Sequence, residues 1–154
     1  MVTYSDKPWL KHYQDVVSKQ IDIPEISVPD MLDRTALKYP DKTAIYFMGR
    51  KIVYKELKDH VDRFATALAN LGIKKGDVVA IHLPHFPQFI VGSDGALKAG
   101  AAVTCISALL TAPEVKFQLN DAQAKAIITM DGQPLQVVSS IRKETRLSHV
   151  IVTS

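Results

Sequence analysis

Val78-Val79-Ala80-Ile81-His82-Leu83 is followed by Pro84-His85-Phe86-Pro87, by an apolar helical run that closes on Gly100, and by Ala102-Val103-Thr104-Cys105-Ile106. This stretch decides the fold. Two short, continuous apolar runs flank a proline-opened helix, Pro87 to Ala99, with a glycine just past its end, where a helix C-cap belongs. An unbroken apolar run of this length suits a strand buried on both faces, as in a parallel sheet. The alternation continues downstream with a helix over Pro113–Asn120, a strand over Ala126–Thr129, a helix over Pro134–Glu144 and a strand over His149–Val152. The expected class is α/β: a doubly wound, mainly parallel sheet with flanking helices.

Upstream, Tyr54, Leu57, Val61, Phe64, Leu68 and Leu71 are spaced 3, 4, 3, 4, 3. They form one apolar stripe on a helix over Tyr54–Leu71. The stripe is too short for a coiled coil, so it predicts a helix lying on the sheet, capped by Gly72. Thr43–Met48 and Lys51–Val53 across a tight turn at Gly49-Arg50 predict a short hairpin. A first helix is expected from Pro29-Asp30, carrying Met31, Leu32, Thr35, Ala36 and Tyr39 on one face and ending at Pro40. Residues 1–28, punctuated by Pro8 and Pro24, read as an extended arm with one helical turn near Trp9–Tyr13. Arms of this kind wrap the core or reach a neighbouring subunit. Residues 29–154 read as a single α/β domain.

Composition narrows the functional classes. The 154 residues are 47% hydrophobic and 23% charged, with Lys+Arg 19 against Asp+Glu 16. That is an ordinary globular balance, and a chain of this size buries roughly 70% of its unfolded surface. A net charge of +3 without a dense basic face argues against a nucleic-acid partner. The apolar stretch from Val78 to Leu110 is cut by Pro84, Pro87, Asp94 and Lys98, so no run reaches the about 18 apolar residues of a membrane span. The first twenty residues carry no apolar leader core. One cysteine, Cys105, excludes an internal disulfide framework and suits a reducing compartment. The expectation is a cytoplasmic domain.

Ligands of open α/β sheets bind outside the carboxyl ends of the strands. The connections expected there are Pro84–Pro87, Ser107–Ala112 and Met130–Pro134, which make His85, Ser107 and Asp131 the candidate lining of a strand-end cleft. The catalytic inventory is otherwise thin. Gly95 to Gly100 has P-loop glycine separation, but Ala101-Ala102 follow instead of Lys and Ser or Thr, and the segment lies at a helix end. No GxSxG is present. His82 and His85 could form a metal or proton-transfer pair. One strand residue and one loop residue pointing different ways fits better, because no other Cys/His cluster completes a site. Cys105, in apolar company, reads as an inert core thiol. Asp94 reads as facing solvent or an interface, and Lys74-Lys75-Gly76-Asp77 as a solvated turn. No catalytic, cofactor-binding or metal-ligating residue is assigned.

Tyr39-Pro40-Asp41-Lys42-Thr43-Ala44-Ile45, Val53-Tyr54-Lys55-Glu56-Leu57, Leu71-Gly72-Ile73-Lys74-Lys75-Gly76-Asp77-Val78-Val79-Ala80 and Gly95-Ala96-Leu97-Lys98-Ala99-Gly100-Ala101 together resemble the opening of AMP-forming acyl-CoA synthetases. Phe117-Gln118-Leu119-Asn120-Asp121 and Ala124-Lys125-Ala126 keep the register, and Pro8-Trp9-Leu10-Lys11-His12-Tyr13 most resembles the fatty-acid–CoA ligase branch. The resemblance runs from about Trp9 to Val152 and implies the N-terminal subdomain of that family. Complete members use ATP and Mg²⁺ to activate a carboxylic acid, here a fatty acid, to an acyl-adenylate and pass the acyl group to coenzyme A. The family's phosphate loop, its adenine- and ribose-binding motifs, its Mg²⁺ glutamate and its C-terminal lysine have no counterpart in these residues. The resemblance therefore implies a portion inactive alone, needing either a complementary C-terminal chain or self-association into a homo-oligomer.

Three local departures stand out: His85 after Pro84 where relatives carry Asn, Cys105-Ile106-Ser107-Ala108 in place of a Pro-x-Asn-Pro turn, and Gly92-Ser93-Asp94 in place of bulky residues. A lost core side chain costs about 2–5 kcal/mol unless the packing refills the space.

Overall fold

The computed structural model describes residues 3–154. Its elements, in chain order, are α1 (Val28–Lys38), β1 (Thr43–Phe47), β2 (Arg50–Val53), α2 (Tyr54–Asn70), β3 (Val78–His82), α3 (Pro87–Lys98), β4 (Ala102–Cys105), α4 (Ala112–Asp121), β5 (Ala126–Met130), α5 (Gln133–Ile141) and β6 (His149–Thr153). Before α1 the chain makes two short 3-10 turns, Tyr4–Asp6 and Pro8–His12, and then runs without regular structure to Ser27, its side chains almost all exposed. Ser27 caps α1: its hydroxyl accepts the Asp30 N–H at 3.3 Å, and the Asp30 carboxylate accepts the Ser27 N–H at 3.1 Å.

β3–β6 form a four-stranded sheet in the order β4-β3-β5-β6, every pairing parallel. The side chains alternate between its faces. Val79 and Ile81 of β3 with Ala126 and Ile128 of β5 pack beneath Leu68 of α2 and Ala96 of α3. Ala80 and Ile127 pack against Val115 and Leu119 of α4 and Val138 and Ile141 of α5. The sheet is therefore wound on both faces, as expected. A smaller core joins Leu32 of α1 to Leu57 and Val61 of α2 under the hairpin residues Ala44, Ile45 and Ile52.

Helix ends are fixed by backbone chemistry legible in the sequence. Gly72 (φ +79°) and Gly100 (φ +88°) sit in left-handed conformation after α2 and α3. In both turns two amides return to helix carbonyls: Gly72 to Ala69 at 2.9 Å and Ile73 to Leu68 at 3.0 Å, Gly100 to Leu97 and Ala101 to Ala96, each at 3.0 Å. These are paired Schellman bonds. Gln123 (φ +52°) makes the same closure after α4, through Gln123 to Asn120 at 3.2 Å and Ala124 to Leu119 at 2.9 Å.

Four expectations are corrected. The hairpin turn is Met48-Gly49, both at positive φ (+47° and +80°), not Gly49-Arg50. That places the two residues of a type I′ loop one position earlier and starts β2 at Arg50. On α1, Leu32 and Ala36 are buried, but Met31 is 55% and Tyr39 44% exposed, because the helix rests on α2 and α3 rather than on a sheet. Burial on both faces holds for β3 and β5 only, since β4 and β6 are the sheet edges. Cys105, at the end of edge strand β4, is consequently exposed rather than a core thiol.

The Gly92-Ser93-Asp94 departure is absorbed by packing. A Cβ on Gly92 would lie 3.0 Å from Ile128 Cδ1, and one on Gly95 would lie 2.7 Å from Phe64 Cδ1. The small residues let α3 settle onto both the sheet and α2.

Candidate functional site

Adjacent strands β3 and β5 send their following helices to opposite faces, which makes the space outside their carboxyl ends the topological switch point. The last register pair there is His82 and Thr129. Both are fully buried. His82 Nδ1 lies 3.0 Å from Thr129 Oγ1, and its Nε2 is buried without a hydrogen-bond partner. Burial pushes the imidazole below its ordinary range, opposed only by the Ser107 backbone. The crevice floor is thus a neutral imidazole bonded to a hydroxyl. Periodicity alone missed this pair, because it depends on which strands become neighbours.

The three candidate residues lie in the connections that leave β3, β4 and β5, and all are exposed. The His85 ring packs at 5.3 Å on Phe89, in the first turn of α3. Ser107 Oγ accepts the Leu109 N–H at 3.3 Å, and the Asp131 N–H donates to the Thr153 carbonyl at 2.9 Å. No hydrogen bond or ion pair links any two of them among the described residues. His82 and His85 diverge, one buried and one exposed, as the strand-and-loop reading expects.

Leu83–Phe86, Ile106–Thr111 and Asp131-Gly132 contain neither Lys nor Arg. The Thr111 hydroxyl and N–H are both engaged by the Glu114 carboxylate, at 2.6 and 2.8 Å. Asp131 adds negative charge where phosphate needs positive charge or free amides. No group of three His, Cys, Asp or Glu side chains converges as a metal site among the described residues.

Charge is concentrated instead where it holds elements together. The Lys98 ammonium of α3 bonds Asp33 of α1 at 2.6 and 2.8 Å and lies 2.5 Å from Asp62 of α2, in a close ion pair rather than an aligned hydrogen bond. Lys58 joins Asp62 as well. Burial alone would raise the Asp62 pKa, but Lys58 and Lys98 outweigh it and hold the carboxyl below its ordinary range. Asp77 is more than part of a solvated turn: Lys125 donates to it at 2.7 Å and to the Gly72 carbonyl at 2.7 Å, tying the amino end of β5 to the end of α2. Hydrogen bonding from Lys125 holds Asp77 low. Asp94 is half-buried, and burial raises its pKa.

A wide concavity lies elsewhere. A cleft of about 940 Å³ runs between the β1–β2 hairpin, α2, the start of α3 and β6, floored by Phe64, Val91, Gly92, Ile128 and Ile151. None of His85, Ser107 and Asp131 lines it.

Residues 32–154 match the profile of the AMP-binding enzymes. A long-chain-fatty-acid–CoA ligase of Bacillus subtilis (strain 168) is 37% identical over 127 residues, which is 82% of this chain and 23% of the relative. Among solved structures, the N-terminal domain of FACL13 from Mycobacterium tuberculosis superposes with a TM-score of 0.75 at 30% identity, over 82% of this chain and 33% of that one. The anthranilate CoA ligase AuaEII in complex with anthranoyl-AMP gives 0.80 at 26% identity, over 86% and 26%. The chain belongs to the AMP-binding enzyme family. It matches the N-terminal part of fatty-acid–CoA ligases and spans about a quarter of the length of the curated relatives it matches. No helix among the described residues is long and apolar enough to cross a membrane.

Proposed function

We propose that this chain acts as the N-terminal portion of a fatty-acid–CoA ligase and forms neither acyl-adenylate nor acyl-CoA by itself. In the complete reaction ATP and Mg²⁺ activate a fatty acid to the adenylate and coenzyme A accepts the acyl group. In this reading residues 29–154 are the folded unit and residues 1–28 an arm, in a cytoplasmic setting. The observation that carries the reading is the pairing of a match along most of the chain with strand ends that offer no cationic side chain to a phosphate. Within the ligase, the unit's contribution is scaffolding: β3 and β5 hold the His82–Thr129 floor, and Lys98 locks α1, α2 and α3 together.

The test is an ATP-dependent acyl-CoA synthesis assay on the isolated chain, with calorimetry against ATP, AMP, coenzyme A and fatty acids. No turnover and no nucleotide binding are expected, and turnover or an ATP-binding isotherm overturns the reading. A second reading, a non-catalytic assembly module that pairs with a separate chain or with itself, is favoured by one observation, the open apolar cleft beside β6. An unpartnered apolar concavity of that size is more typical of an interface than of free surface.

A further inference from the structure

The chain contains two Asp-Gly pairs, Asp94-Gly95 and Asp131-Gly132. Such a pair has a covalent chemistry of its own. The glycine backbone nitrogen attacks the side-chain carboxyl carbon of the aspartate. A five-membered succinimide closes, and one water leaves, made of the hydroxyl of the neutral carboxylic acid and the amide hydrogen. Water then adds back. Breaking the ring bond from nitrogen to the side-chain carbonyl restores aspartate. Breaking the bond from nitrogen to the main-chain carbonyl gives isoaspartate, whose backbone runs through Cβ and Cγ and whose free carboxylate sits on Cα. The atoms balance without any co-reactant but water.

Three conditions govern the closure. No side chain on the following residue blocks the nitrogen, the peptide between the two residues is free to rotate, and water reaches it. Glycine meets the first in both pairs. The fold decides the other two.

At Asp131-Gly132 both are met. The pair makes the turn between β5 and α5, and both residues are exposed. The Asp131 N–H donates to the Thr153 carbonyl at 2.9 Å, and the Gly132 carbonyl accepts the Gln136 N–H at 3.1 Å. Between these anchors, the Asp131 carbonyl and the Gly132 N–H make no backbone hydrogen bond among the described residues, so that one peptide is left to water. Gly132 sits at φ +77°, with open space where a Cβ would lie, so no neighbour obstructs the ring.

At Asp94-Gly95 the acid is favourable and the backbone is not. Half-burial raises the Asp94 carboxyl, which enriches the neutral form that loses its hydroxyl. The pair nevertheless lies inside α3, where the Gly95 N–H belongs to the helical ladder. A Cβ on Gly95 would lie 2.7 Å from Phe64 Cδ1, so that peptide has no room to turn without lifting α3 off α2.

We propose that Asp131-Gly132 is a site of spontaneous isoaspartate formation in the folded chain, and that Asp94-Gly95 stays unreactive until α3 unfolds. The product inserts one more backbone carbon between β5 and α5 and moves a carboxylate from side chain to main chain at the strand ends. Its free main-chain carboxylate makes it a substrate for an isoaspartyl carboxyl methyltransferase. This inference is independent of the ligase reading.

The chain is aged at neutral pH and physiological temperature, folded in one sample and unfolded in urea in another. Isoaspartate is read by methyl transfer from a labelled donor with an isoaspartyl methyltransferase. Electron-transfer fragmentation of the peptides then assigns the position. In the folded chain the label is expected at Asp131 and not at Asp94; in urea it is expected at both. Asp131→Glu, which would need a six-membered ring, loses the label of the folded chain while circular dichroism shows the fold retained. A folded chain without isoaspartate at Asp131, or with as much at Asp94 as at Asp131, overturns the proposal.

Discussion

Acid should weaken this fold through His82. The folded state favours the neutral buried imidazole, because a proton would place a cation beside Thr129 with no carboxylate and only the Ser107 backbone to receive it. Burial accordingly lowers its pKa, while the unfolded chain titrates near the ordinary 6.5. The sign follows: stability is full above the unfolded value and falls as the pH drops below it, because only the unfolded state takes up the proton. While the folded imidazole stays neutral, the slope is about 1.4 kcal/mol per pH unit. That slope is the most the group can contribute below pH 6.5, set against the about 5–15 kcal/mol that holds a typical domain together. Urea unfolding followed by far-UV circular dichroism from pH 5.0 to 8.0 reads it directly. Asp30, Asp62, Asp77 and Glu114 are held below their ordinary values, so the stability they lend disappears only at lower pH. Asp94, raised by burial, acts with the opposite sign. The His82→Met variant keeps similar volume without a titrating group and should be flat across the window, whatever its pH-independent offset. A wild-type profile already flat between pH 5.0 and 6.5, or a slope that survives in His82→Met, refutes the reasoning.

Other substitutions probe the packing and the cap chemistry. Leu68→Ala removes a fully buried side chain from beneath α2 and should cost about 2–5 kcal/mol in chemical denaturation. Gly72→Ala puts a Cβ into open space but at φ +79°, so only backbone strain opposes it; a loss of about 1 kcal/mol is expected, and a stability gain would show the turn to be relaxed. Lys98→Met leaves Asp33 and Asp62 with Lys58 as their one remaining shared cation. The groups are partly solvated, so the cost should be only about 1 kcal/mol and should shrink as salt weakens the pairs in the wild type.

The sequence by itself determined what local physics can specify. Apolar runs and the 3-4 spacing in α2 set element types, and Gly72 and Gly100 fixed helix ends because only their backbones take left-handed angles cheaply. The run of short motifs from Tyr39 to Ala126 placed the chain in its family. What the sequence left open depends on neighbours far apart in the chain. Whether an apolar run is a central or an edge strand follows from the order β4-β3-β5-β6, and that order exposes Cys105 and Val152 while burying His82. The pairing of His82 with Thr129 across 47 positions and the cleft built from the hairpin, α2 and β6 exist only once the sheet has closed, because burial is a property of the assembled layers and not of any residue read alone.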